Sequence, residues 1–255
     1  MIKHQKIIIS CGGTGGHIFP GVEIAKALQK KDASLHIIFV GALGRMEMNK
    51  IPKAGFPIIG IWIQGLYRKS IIRNIFFPIK LIVSLFHALF ILLYHKPIAV
   101  IGTGGFASFP VLFISSFLRI KTYIQEQNCY AGLANRLLSK QAHKIFVAHD
   151  DMKNFFPESK ILNFGNPVRK SLKIVGVSQE SGRSFFGLEK NVFTVLFVGG
   201  SLGAEPINNA LLQYLNDLGS ELNTSSVLAE HRMQLIWQTG SKHYNHIQNQ
   251  INSIF

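Results

Sequence analysis

Acidic side chains are the scarcest chemistry in this chain: 13 Asp and Glu stand against 27 Lys and Arg among 255 residues, a formal charge of +14. The deficit is local. From Met48 to Gln125 there is no Asp or Glu, while Lys50, Lys53, Arg68, Lys69, Arg73, Lys80, Lys96, Arg119 and Lys121 all fall there. Such a field suits polyanions: nucleic acid, anionic lipid or a phosphorylated substrate. Cysteine is nearly absent too. Cys11 and Cys129 are too few for a disulfide scaffold and lack metal-ligand partners at CxxC or HxxxH spacing, which points to a reducing, cytoplasmic setting. There is no Asp-x-Asp pair to hold a divalent cation, so neither a metal nor a cofactor is expected. The opening MIKHQKIIIS is too short an apolar run for a signal peptide. An apolar fraction of 47% excludes disorder despite the charge.

What is present is an alternation. Short β-branched runs at 7–10, 35–40, 58–63, 98–101, 122–125 and 144–148 are separated by helical patterns, among them 21–31, 71–94 and 131–142. Strands alternating with helices predict a parallel sheet covered on both faces, a Rossmann-like α/β domain. The turn-rich Phe164 to Arg169 marks a boundary near residue 165, giving domains 1–165 and 166–255. The pattern then restarts with strands at 194–198 and 234–238 around a helix over about 205–218. Two strands do not close a doubly wound domain, so the second domain is expected to be incomplete, or else a small accessory lobe. The Asn- and Gln-rich 241–255 reads as a helix left without packing partners, and 190–197 with Trp237 as core of the second sheet.

Three glycine loops sit between a strand and a helix: Cys11 to His17, Gly102 to Ser108 and Gly199 to Ala204. Glycine permits positive φ and close backbone approach to an anion, and the free amides of a helix start complement negative charge. One such loop serves chain reversal equally well; three, split between two domains, suggest two phosphorylated ligands across a cleft. The first loop is neither a Walker loop nor a GxGxxG dinucleotide fingerprint. His17, directly after the glycines, is a candidate general base, with backbone bonding at a helix start as the alternative. Glu126, at a strand's carboxyl end, is the rival base.

In order along the chain, GGTGGHIFP (12–20), Arg45-Met46-Glu47, Gly104 to Pro110, Glu126-Gln127-Asn128, Gly132 with Asn135, GNPVR (165–169), GGSLGA (199–204) and Gln238-Thr239-Gly240 resemble the motifs of the MurG family. That family comprises GT-B glycosyltransferases with two Rossmann-like domains. The resemblance implies an inverting hexosyltransferase that moves N-acetylglucosamine from UDP-N-acetylglucosamine to lipid I, giving lipid II for peptidoglycan. It implies acceptor-side loops in the first domain, a UDP-sugar site involving the second, and contacts from Thr14, Gly15, Gly16, Asn128, Arg169 and Ser201, with Gly104 and Gly105 in the second loop. Arg169 offers a planar fork for a diphosphate; Asn128 reads equally as a turn-capping Asn.

Residues 71–94 are apolar yet interrupted by Arg73, Asn74, Pro78, Lys80 and His87, too interrupted for a clean span. The second half reads most simply as a buried core helix. Ile75, Phe76 and Phe77 beside Arg68, Lys69, Arg73 and Lys80 form an apolar patch with a basic rim, as on a monotopic protein bound to an anionic membrane surface. With the resemblance, this gives a peripheral protein on the cytoplasmic face of the bacterial inner membrane. The competing readings are a catalytically inactive, membrane-bound polyanion binder and a nucleic-acid binder. The latter is disfavoured, because the basic residues lie among aliphatic runs and no helix-turn-helix, RRM or zinc spacing occurs.

Overall fold

A computed structural model describes residues 5–66, 72–168, 176–200, 203–222 and 233–254. The chain divides into two compact units, Met1–Lys173 and Ile174–Phe255. In the first, seven strands form one all-parallel sheet: β1 (Lys6–Ser10), β2 (His36–Ala42), β3 (Ile58–Ile61), β4 (Ala99–Gly102), β5 (Lys121–Glu126), β6 (Lys144–Val147) and β7 (Ile161–Asn163). Their spatial order is β3-β2-β1-β4-β5-β6-β7. Strand order therefore reverses between β1 and β4, and the helices that follow those two strands pack on opposite faces of the sheet, which makes the reversal the usual ligand crevice of open α/β sheets.

The strands read as continuous apolar runs because both faces of the sheet are covered. Alternation along β1 divides the core in two. Ile7 and Ile9 join Ile37, Phe39 and Ile101 beneath helices α1 (Gly15–Lys31) and α2 (Glu47–Lys53), through Ile18, Val22, Ala25 and Ile51. Ile8 points the other way with Ile38, Val40 and Val100, beneath α3 (Phe77–His95) and α4 (Ser108–Phe117), through Ala88, Ile91, Leu92, Val111 and Leu112. Ile8 and Ile9 are fully buried, and truncating either to Ala would cost about 2–5 kcal/mol.

Some expectations shift. α1 starts at Gly15, not Gly21; Pro20 lies inside it and the glycines belong to its first turn, so Pro and Gly together mask the true start in the sequence. β7 was not expected: three half-exposed residues carry too little pattern. The helix expected over 131–142 is the shorter α5 (Leu133–Leu138).

α3 is resolved into two faces. Ser84, Ala88, Ile91 and Leu92 are buried against the unit, whereas Ile79, Ile82, Val83, Phe86, Phe90, Leu93 and Tyr94 are exposed. At 19 residues and mean hydropathy 2.0, α3 is long and apolar enough to cross a membrane on length and composition alone, although Pro78, Lys80 and His87 interrupt it. Its packed face, however, belongs to the core of the first unit. Ile72, Ile75 and Phe76 continue the exposed apolar surface before it, and Phe113 and Phe117 of α4 are exposed as well. Arg68 and Lys69 lie outside the described residues.

The second unit carries α6 (Gln179–Phe185), β8 (Phe193–Val198), α7 (Glu205–Leu222), β9 (Met233–Gln238) and α8 (Tyr244–Ile254), with β8 and β9 parallel. Phe193 and Leu196 are exposed rather than core. The tail does have a packing partner: α8 lies against α7 with Ile247 buried.

Candidate functional site

The loops after β1 and β4 meet at the strand-order reversal and are bonded into one body. Ser10 Oγ lies within reach of the carbonyls of Val40 (3.2 Å) and Ala107 (3.1 Å), and Ser108 Oγ lies 2.8 Å from the carbonyls of both Ser10 and Gly104. The Thr103 amide donates to Ser10 O, and Thr103 Oγ1 donates to His17 O at 2.7 Å. These hydroxyls are all buried, so each must find a partner, and they find it in the neighbouring loop. A side chain at Gly105, where φ is +83°, would place Cβ 2.0 Å from Gly12 O. At Gly104, φ +99°, it would lie 2.7 Å from His17 Nδ1. These two glycines let the second loop close on the first.

One amide of the first loop is already taken. Glu47, fully buried at the start of α2, accepts from the Gly13 amide (3.3 and 3.2 Å) and from the Ala42 amide (3.0 Å). The loop therefore carries an internal carboxylate, and its remaining donors are those of the α1 start, where Thr14 and Gly16 are exposed and the Gly15 and Gly16 amides precede the first bonds of the helix, those of His17 and Ile18 to Thr14 O. Thr14 is the N-cap residue, and its hydroxyl makes no capping bond.

His17 is half-buried. Its Nδ1 lies 3.1 Å from Thr103 O and 2.5 Å from the Gln127 side-chain amide. Burial pushes its pKa down, outweighing the Thr103 carbonyl and the negative charges of Glu126 and Glu47, which favour the imidazolium. The ring is neutral at physiological pH and retains one basic nitrogen.

Glu126 ends β5 at 1% exposure. Its Oε1 accepts from the Asn128 amide (3.1 Å) and Asn128 Nδ2 (3.0 Å), and its Oε2 from the Gly132 amide (2.9 Å) and Asn135 Nδ2 (2.9 Å). Four donors surround the carboxylate, which organises the loop leading to α5. Asn128 is exposed, and its side-chain nitrogen donates to the Glu126 carboxylate. Asn166 ties the same loop from the β7 side: its Nδ2 donates to Gln127 O at 3.3 Å, and its Oδ1 accepts from Gln125 Nε2 at 3.4 Å.

Of the residues singled out from the sequence, Thr14, Gly15, Gly16, His17, Gly104 and Gly105 thus stand together, with Glu126 and Asn128 on the adjoining loop. Arg169 and Ser201 lie outside the described residues. Beside Ser201 the third loop repeats the first unit's device: Gly203, φ +79°, would put a Cβ 2.0 Å from Thr239 O, and Asn208 Nδ2 donates to the same carbonyl at 3.0 Å. The structural parts played by Ser10, Glu47, Thr103 and Ser108 are not evident from pattern alone. The only signal is polar residues in runs otherwise apolar.

Residues 7–147 match the glycosyltransferase family 28 N-terminal domain. Among curated relatives, the UDP-N-acetylglucosamine--N-acetylmuramyl-(pentapeptide) pyrophosphoryl-undecaprenol N-acetylglucosamine transferase of Cytophaga hutchinsonii is 45% identical over 251 residues, 98% of this chain and 65% of its own length. The transferase of the same name from Amoebophilus asiaticus is 43% identical over 246 residues, 96% of this chain and 65% of its own. This chain thus spans just under two thirds of those relatives. The crystal structure of MurG from Acinetobacter baumannii superposes with a TM-score of 0.64 at 25% identity, covering 97% of this chain and 63% of that one.

Proposed function

The chain belongs to the glycosyltransferase family 28 by its N-terminal domain, and on that premise we propose that it acts in transfer of N-acetylglucosamine from UDP-N-acetylglucosamine to an undecaprenyl-diphosphate-linked N-acetylmuramyl peptide, the substrates named for its relatives. The observation that carries this reading is the junction of the β1 and β4 loops at the strand-order reversal, with exposed helix-start donors at Thr14 and Gly16 beside a neutral His17. Amides at a helix start suit the acceptor's diphosphate.

In the reaction the muramyl 4-hydroxyl oxygen bonds to C1 of N-acetylglucosamine with inversion, and the bond from C1 to the diphosphate oxygen breaks, its electron pair leaving with UDP. The hydroxyl proton passes to His17. Of the two base candidates His17 is assigned, because its ring keeps an acceptor nitrogen whereas both Glu126 oxygens are occupied by donors. Glu126 and Asn128 shape the loop that carries Gln127. Thr14, Gly15 and Gly16 meet phosphate; Gly104 and Gly105 contribute by fitting the second loop against His17 and Gly12. By the family resemblance, Arg169 and Ser201 would hold the leaving diphosphate of UDP-N-acetylglucosamine.

The same reading places the chain on the cytoplasmic face of an anionic membrane, where a polyprenyl-anchored acceptor resides. Support comes from the exposed stripe Ile75, Phe76, Ile79, Val83, Phe86, Phe90 and Leu93, which would enter the lipid boundary while the opposite face of α3 stays in the core. Two assays test the proposal. Transfer of labelled N-acetylglucosamine to a lipid I analogue is expected to fall by about 100-fold or more in His17→Ala, as for loss of a general base; equal rates remove His17 from the mechanism. Sedimentation with anionic vesicles at low salt is expected to pellet the chain, and Phe86→Glu with Phe90→Glu to leave it in solution; a native chain that stays in solution refutes the membrane reading.

A further inference from the structure

An imidazole accepts a proton usefully only if the acceptor nitrogen is the one facing the reaction, so its tautomer must be held. Nδ1 of His17 lies 3.1 Å from the Thr103 carbonyl, an oxygen that can only accept, so that contact is a hydrogen bond only in the tautomer with the proton on Nδ1. The Gln127 side chain reaches the same nitrogen at 2.5 Å with its Nε2, which sets two donors against each other, while Gln127 Oε1 is buried and has no partner. Amide nitrogen and oxygen are interchangeable by a half-turn, and their assignment follows the hydrogen-bond network. Turning the Gln127 amide removes the opposed donors and gives the stranded oxygen a proton: Nδ1–H is then shared between Thr103 O and Gln127 Oε1.

We propose that Gln127 is a positioning residue which, with the Thr103 carbonyl, locks His17 in the Nδ1–H tautomer and leaves Nε2 as the ring's proton acceptor. Three features make the lock firm. Gly104 admits no side chain against Nδ1 and Cε1. Asn166 holds the Gln127 backbone carbonyl, and Glu126 pins the following turn through the Asn128 and Gly132 amides. The charged groups acting on the ring are Glu126 at the end of β5 and Glu47 at the start of α2; both favour the imidazolium, and burial outweighs them. The catalytic consequence rests on the reading of His17 as base; the tautomer itself does not.

The test is side-chain nitrogen NMR of the whole chain labelled in its ten histidines, with His17 assigned by loss of its signals in His17→Asn. The native ring is expected to be neutral and protonated at Nδ1. Gln127→Ala should give a mixture of tautomers, and the isosteric Gln127→Glu should keep the ring protonated to higher pH, because a carboxylate accepts from Nδ1–H and stabilises the cation. A native ring protonated at Nε2, or a tautomer unchanged in Gln127→Ala, overturns the proposal. In the transfer assay Gln127→Ala should lower kcat roughly tenfold with KM for UDP-N-acetylglucosamine unchanged, and Gln127→Glu should move the acid limb of the pH profile upward. If the tautomer responds and the acid limb does not, the lock stands and the assignment of His17 as base fails.

Discussion

Replacing Glu126 by Gln separates a scaffolding carboxylate from a catalytic one. Every group around Glu126 is a donor: the Asn128 and Gly132 amides and the side-chain nitrogens of Asn128 and Asn135, at 2.9–3.1 Å. An amide offers one oxygen and one NH2, so whichever way it turns, two of those four donors lose their acceptor and face another donor. A hydrogen bond to a charged group contributes about 1.5–3 kcal/mol, and stranding a buried donor costs about 1–3 kcal/mol. The site is 1% exposed, so water cannot make good the loss. With partial relaxation, the expected destabilisation is about 3–4 kcal/mol, a large part of the roughly 5–15 kcal/mol that holds a typical native protein together. For a domain of this size each kcal/mol lowers Tm by about 2–4 °C, giving a fall of about 6–16 °C, measurable by thermal and urea unfolding followed by circular dichroism. Asn135→Ala, which removes one of the donors, should cost less. A Glu126→Gln variant that unfolds within about 2 °C of the native chain would refute the reasoning; if that variant also lost transfer, the carboxylate would be acting on substrate instead.

Gly105→Ala should lower stability by about 3 kcal/mol or more in urea unfolding, since it adds backbone strain at φ +83° to a Cβ only 2.0 Å from Gly12 O; Gly44→Ala, φ +71° with open space around it, should cost only about 1–2 kcal/mol. Equal effects would mean that the loop contact contributes nothing. Of the two thiols, Cys129 is exposed and should react with a disulfide reagent in the native chain. Cys11 is fully buried, and its pKa is pushed up first by burial and then by Glu47, against a lowering by the Thr103 hydroxyl; it should stay silent until the chain is denatured. Two rapidly reacting thiols would contradict that placement.

The sheet was legible because covered parallel strands leave long apolar runs, and β1, β2, β4, β5 and β6 fall within two residues of their expected bounds. β7 was not, since Ile161–Asn163 at the sheet edge needs only three residues to pair with β6. The start of α1 was hidden by Pro20 and the glycines. At the site, the glycine loops and His17 could be read as candidates, because glycine spacing is a local signal. What Glu47 and Gln127 do could not: Glu47 lies 34 residues from the amide it holds, and Gln127 lies 110 from the ring it touches. Contacts at such separation come from strand order, which periodicity does not specify.

Glu47 has a kinetic consequence as well. A flexible glycine segment normally loses its backbone freedom on meeting a ligand, about 1–2 kcal/mol for each residue ordered, and affinity falls accordingly. Here the carboxylate is a resident guest: it restrains Gly13 while the chain folds, so that cost falls on folding and not on the encounter. On the proposed function, a diphosphate arriving at Thr14 and Gly16 would meet a rim already set, its arrival governed by diffusion and by the basic field rather than by a waiting time for the loop.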